Sequence, residues 1–128
     1  MAFPKVPISP GFGGFVLDTG FGQQTPALTT ITANAGGGQA NAVQLTGLIN
    51  KITVVATAGD SVLLPASNPG QTIALINAAA ASCNVFPAGS DAINALAASA
   101  AFALAAGARC VFVCANPGNW YTIPLVPS

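Results

Sequence analysis

From about Asn41 onward, short apolar runs are broken by turn signals about every 8–12 residues. That rhythm suits short strands and is the signature of an all-β sandwich or barrel. The breaks have a mechanism. Asn68-Pro69-Gly70 and Asn116-Pro117-Gly118 share one order. Pro sets φ for the second turn position, and Gly accepts the positive φ of the third. Gly59, Gly89 and Gly107 mark further breaks. Between them lie candidate strands at 42–46, 51–56, 61–64, 71–77, 83–86, 92–95, 100–105, 109–115 and 120–123. Alternation predicts one buried face per strand, with Ile52 and Val54, or Ile73 and Leu75, pointing inward.

Residues 91–107 admit two readings. Ala is the best helix former, Asp91 fits an N-cap, Gly107 fits a helix end, and Ile93, Leu96, Ala100 and Leu104 fall at helical spacing. As strands, Phe102 and Leu104 alternate with smaller residues, and every neighbouring segment is β. The context favours strands.

The first third has a different texture. Residues 1–33 mix Pro4, Pro7, Pro10 and Pro26 with Gly11, Gly13, Gly14, Gly20 and Gly22. Pro removes a backbone donor and Gly weakens regular elements, so neither helix nor central strand is expected there. Yet Phe3, Phe12, Phe15 and Phe21 fall in this stretch, four of the seven Phe in the chain. Disordered linkers are poor in aromatics. Residues 1–33 therefore read as an extended arm whose Phe side chains anchor it on a partner, with folding back on its own domain as the alternative. Residues 34–40, rich in Gly, read as a hinge, and 41–128 as the β-sandwich.

Charge is scarce. Charged residues make up 5% of the chain, against about 25% in soluble domains. Lys5, Lys51 and Arg109 balance Asp18, Asp60 and Asp91, and there is no His or Glu. Net charge away from zero normally keeps proteins apart. A neutral surface of Asn, Gln, Ser and Thr is instead suited to contact with other chains, and a closed homo-oligomer is expected, a trimer ahead of a dimer. Three scattered cations cannot build a phosphate-binding footprint, so no nucleic acid is expected. Residues 1–5 lack a secretory leader's layout. Residues 92–108 are mostly Ala, with Asn94, Ser99 and Gly107 among them, so no membrane span is expected. Cys110 and Cys114 on one strand would be about 13 Å apart, too far for a disulfide. Whether Cys83 pairs with either stays open, with reduced thiols the default.

Acid–base chemistry without His or Glu would fall on three Asp and two Lys, and no Ser or Cys has a His base. No carboxylate pair or Cys cluster has catalytic or metal-ligand spacing, and Gly36-Gly37-Gly38 lacks the Lys of a phosphate loop. No enzyme, cofactor or metal site is expected. The Asp residues read as turn or cap residues. Trp120-Tyr121 reads as a core closure, with sugar stacking the alternative.

Ser61-Val62-Leu63-Leu64-Pro65-Ala66, Ile73-Ala74-Leu75-Ile76-Asn77-Ala78, Asn84-Val85-Phe86-Pro87-Ala88, Asp91-Ala92-Ile93-Asn94, Leu104-Ala105-Ala106-Gly107, Val111-Phe112-Val113 and Trp120-Tyr121 form one series. Together they resemble a small β-sandwich module of tailed-bacteriophage virion structural proteins, over about half the chain. The resemblance implies an antiparallel, jelly-roll-like β-sandwich. It also implies a trimer or dimer, and a place in capsid decoration or cement proteins, or in fibres. The expected function is a structural virion protein, made in the host cytoplasm, that binds the major capsid protein and bridges neighbouring capsid subunits. The alternative is a fibre or head-surface module that binds a bacterial glycan. Far-UV circular dichroism should show a single β-type minimum, and a helix-dominated spectrum would contradict this fold class.

Overall fold

The computed structural model describes residues 17–18, 23–36 and 38–126. The strands are β1 Leu17–Asp18, β2 Gln23–Thr32, β3 Val43–Gln44, β4 Gly47–Val54, β5 Ser61–Leu63, β6 Thr72–Asn77, β7 Cys83–Phe86, β8 Ala92–Ile93, β9 Phe102–Leu104, β10 Arg109–Asn116 and β11 Asn119–Ile123. Each candidate strand from residue 42 onward overlaps an observed one. The all-β reading holds, in two sheets. One has the order β1-β2-β4-β6-β10-β11-β8, the other β3-β5-β7-β9.

The pairing differs from a purely antiparallel sandwich. β2, β4 and β6 stack in parallel in the large sheet, and β3, β5 and β7 do so in the small one. The chain changes sheet after each of these strands. The pairs β2–β3, β4–β5 and β6–β7 are therefore successive coils of a short β-solenoid. The winding then reverses. β9 pairs antiparallel with β7, β10 with β6, and β11 with β10. The physical reason lies in the turns. Gly70 and Gly118 both have positive φ (91° and 84°), as Asn-Pro-Gly turns require. The second turn closes the β10–β11 hairpin, where Asn116 pairs with Asn119. The first lies between β5 and β6, which belong to different sheets. It is fastened by Gly70 N–H donating to Cys114 O (2.7 Å) and Gln71 N–H to Asn68 O (3.0 Å). One tripeptide serves a hairpin in one place and a corner in the other.

Residues 23–32 carry Thr25, Thr29, Thr30, Ile31 and Thr32, and only Pro26 among the breakers. Their β-branched content prevails over the Pro/Gly texture before them, and they form the ten-residue β2. The segment that follows is fastened to the body. Asn34 and Ser61 exchange backbone hydrogen bonds (2.9 and 3.0 Å), and Gln39 Nε2 donates to Pro87 O (2.6 Å) and Gly89 O (2.7 Å).

Residues 91–107 form no helix. β8 and β9 are joined by turns in which Asn94 and Ser99 take positive φ (53° and 64°), which breaks any continuous helix. Asn94 gains a specific reward for this geometry. Its Nδ2 donates to Thr122 Oγ1 (2.8 Å), and its Oδ1 accepts from Thr122 N–H (3.0 Å).

The core lies between the sheets. Val43, Val62 and Val85 stack in register in the small sheet. Asn50, Leu75 and Cys110 stack in the large one, as do Ile73, Phe112 and Thr122. Phe102 meets Phe112 edge to face at 5.7 Å, which links the sheets. Ile73, Leu75 and Ile52 are fully buried, as alternation requires, but Val54 is 44% exposed. The β2–β4 register shifts there: Ile31 pairs with Ile52, yet Thr32 pairs with Val54. The extra residue turns Val54 outward and Val55 inward, the usual consequence of a bulge.

Two inward positions carry Asn. Asn50 Oδ1 accepts from Gly47 N–H (3.1 Å), and its Nδ2 donates to Gly47 O (2.9 Å) and Ala74 O (3.3 Å). Asn77 Nδ2 donates to Ala81 O, Leu104 O and Ala105 O (2.9, 3.0 and 3.1 Å), while its Oδ1 accepts from Ala79 N–H (3.1 Å). Asn77→Ala should therefore strip partners from several enclosed backbone groups. A loss of about 3 kcal/mol is expected, read as a lower urea midpoint.

Candidate interaction surface

The outward face of the large sheet follows from register. Ala27, Ile49, Ala74, Val111 and Ile123 stand in one row across β2, β4, β6, β10 and β11. On one side lies the row Lys51, Ile76, Arg109, and on the other the row Thr72, Val113, Tyr121. Ile49 is 49% exposed and Ile123 59%. A shallow apolar groove of about 250 Å³ runs between Ala74, Ile76, Arg109, Val111, Ile123 and Pro124. The face is apolar along its middle and carries cations on one flank only.

The carboxylates are placed differently. Asp60 is buried and accepts from Thr57 N–H (3.0 Å) and Gly36 N–H (3.4 Å). Asp91 accepts from Ser67 N–H (3.1 Å). Both hold loops, as turn-type Asp residues do. Lys51 and Arg109 are exposed, and among the described residues neither side chain has a hydrogen-bond or ion-pair partner. A chain of zero formal charge thus presents its free described charges as two cations on a single sheet face.

Trp120 is fully buried and Tyr121 is 41% exposed. Trp120 Nε1 and Gln71 Oε1 are enclosed polar atoms without a partner among the described residues. The indole is a core group at the β10–β11 hairpin, which leaves Tyr121 as the lone exposed ring of the pair. The small hollows at Ala35, Thr57 and Asp60, and at Ser67, Ser90 and Asp91, are the loop sites already described. Among the described residues, no three His, Cys, Asp or Glu groups gather where a metal would be held, and no helix is long and apolar enough to cross a membrane.

Phe3, Phe12, Phe15 and Phe21 lie outside the described residues. The outward row of Ile49, Ala74, Val111 and Ile123 is not marked by sequence reasoning. Its signal is the continuous apolar character of 73–76 and 110–115, where strict alternation would leave one phase polar. Such runs are typical of strands covered on both faces.

All three cysteines are free and buried. Burial pushes the Cys83 thiol up to about 12, with the Asp60 charge adding to it, and burial alone pushes Cys110 up to about 12. No family model, curated protein or solved structure matches this chain.

Two outcomes follow from the thiols. The native protein should resist a thiol reagent at pH 8 and become reactive only on unfolding, because thiolate and access are both denied. The raised folded-state values mean that the native state holds these protons longer than the unfolded chain. Their stabilising effect is full below about pH 9 and should be lost progressively as pH rises towards 12, read as a falling denaturation midpoint.

Proposed function

We propose that this protein is a structural component of a bacteriophage virion that decorates the capsid and bridges neighbouring capsid subunits. The observation that carries this reading is the charge placement. The carboxylates of Asp60 and Asp91 are engaged in loops, and most of the remaining described surface is neutral, so contact with other chains meets little ionic resistance. The two-sheet body, wound as coils, takes in this reading the place of the expected jelly-roll sandwich as the platform on the capsid. In this reading Phe3, Phe12, Phe15 and Phe21 seat in apolar pockets of the major capsid protein. Each contributes about 1–3 kcal/mol on burial. Ordering the arm costs about 1–2 kcal/mol per residue, so main-chain hydrogen bonds to the capsid are also required. Binding of a bacterial glycan is the less favoured reading, because the buried Trp120 removes the larger stacking surface.

The test is truncation. β2 begins at Gln23 and pairs with β4 in the large sheet, and β1 pairs with it, so the deletion must stop at residue 16. The protein lacking residues 2–16 should keep its β-type dichroism and melt cooperatively, yet fail to decorate particles. Full occupancy of particles by the truncated protein would move the attachment surface onto the body.

A further inference from the structure

We propose that the outward face of the large sheet is a twofold interface with a second copy of this chain. The inference goes beyond capsid decoration and does not depend on it. Three observations carry it. The first is the apolar row Ile49, Ala74, Val111 and Ile123, whose two middle strands, β6 and β10, carry the continuous apolar runs of strands covered on both sides, while one side lies open. The second is charge. Lys51 and Arg109 occupy one flanking row, and the opposite flank, Thr72, Val113 and Tyr121, is uncharged. A twofold axis laid along the central row sets each cation flank over the partner's uncharged flank. No like charges face one another, and Arg109 comes beside the partner's Tyr121, where a guanidinium gains from an aromatic face. The third is area. Five strands at about 4.8 Å and three rows about 6.8 Å apart give roughly 500 Å² per copy, or about 1,000 Å² in total, which reaches the lower limit for a specific interface. A single self-complementary patch suits a twofold, whereas a threefold ring needs two different patches. The expected product is a dimer of modest affinity.

Sedimentation velocity of the full chain should show a dimer forming between about 1 and 100 µM, the range that an interface of this size supports. Val111→Lys and Ile49→Lys should each weaken it at least tenfold while leaving the dichroism unchanged, because both positions face outward. Cross-linking gives the geometry. Residues on the axis meet their own copies, so Ile49→Cys and Ala74→Cys should each form a covalent dimer with a short bis-maleimide. Thr72→Cys, off the axis, should not, and the native cysteines are buried. A chain that stays monomeric at about 100 µM, a trimer, or a dimer indifferent to both Lys variants would overturn the proposal. So would a dimer that appears only when residues 2–16 are deleted, since the chain's own N-terminal segment would then be the occupant of this face.

Discussion

Asn77 holds the two sheets in relation to each other. It ends β6 in the large sheet, and its amide reaches three carbonyls, two of them in and just beyond β9 of the small sheet. Its oxygen fixes the turn that carries the chain across to β7. A coil that changes sheet after every strand leaves corner backbone groups with no ladder partner, and enclosed groups of that kind must be satisfied. Asn50 does the same work one coil earlier, around Gly47. A Cβ on Gly47 would stand 2.8 Å from Ile49 O, so the close approach that Asn50 secures also excludes any side chain there.

The scarcity of charge has a structural counterpart. Asp60 and Asp91 act as Asn50 and Asn77 do, as acceptors for loop amides. With Asp60 buried and Asp91 half-buried, both bound to loop amides, the unpaired charged side chains among the described residues are Lys51 and Arg109, on one flank of an apolar sheet face. The same economy of ionic groups that makes the body neutral therefore gives one face a polarity. Neutral overall charge and an asymmetric surface coexist because Asp60 and Asp91 are held by loop amides while Lys51 and Arg109 stand on the sheet face.

The reversal of winding after β7 completes the core. β10 and β11 bring Phe112 and Trp120 into it, and Phe102 on β9 meets Phe112 across the gap between sheets. Parallel coils alone would leave the last rung exposed at one end. Here the antiparallel strands β9, β10 and β11 cover it with the largest side chains of the core, as terminal units must in stacked architectures.

Much of the secondary structure was legible in the sequence, because β-branched runs and Gly/Pro turns act locally. The positions of the strands from residue 42 onward, the positive φ of Gly70 and Gly118, and the inward Ile73 and Leu75 all follow from nearest-neighbour chemistry. What each turn connects does not. Asn-Pro-Gly specifies a bend, and only packing decides whether the next strand lies beside the last one or in the other sheet. The coil was also hidden by unequal spacing: Val43 stacks on Val62 and Val62 on Val85 with different numbers of residues between them, so no sequence repeat appears. The bulge that turns Val54 outward depends on β2, a strand distant in sequence. The apolar outer row is likewise a product of register, since Ile49, Ala74, Val111 and Ile123 come from four separate strands. The sequence by itself determined that the chain would be short strands with almost no charge. Tertiary structure alone decided which strands pair and which faces stay open, because pairing joins residues that local chemistry never compares.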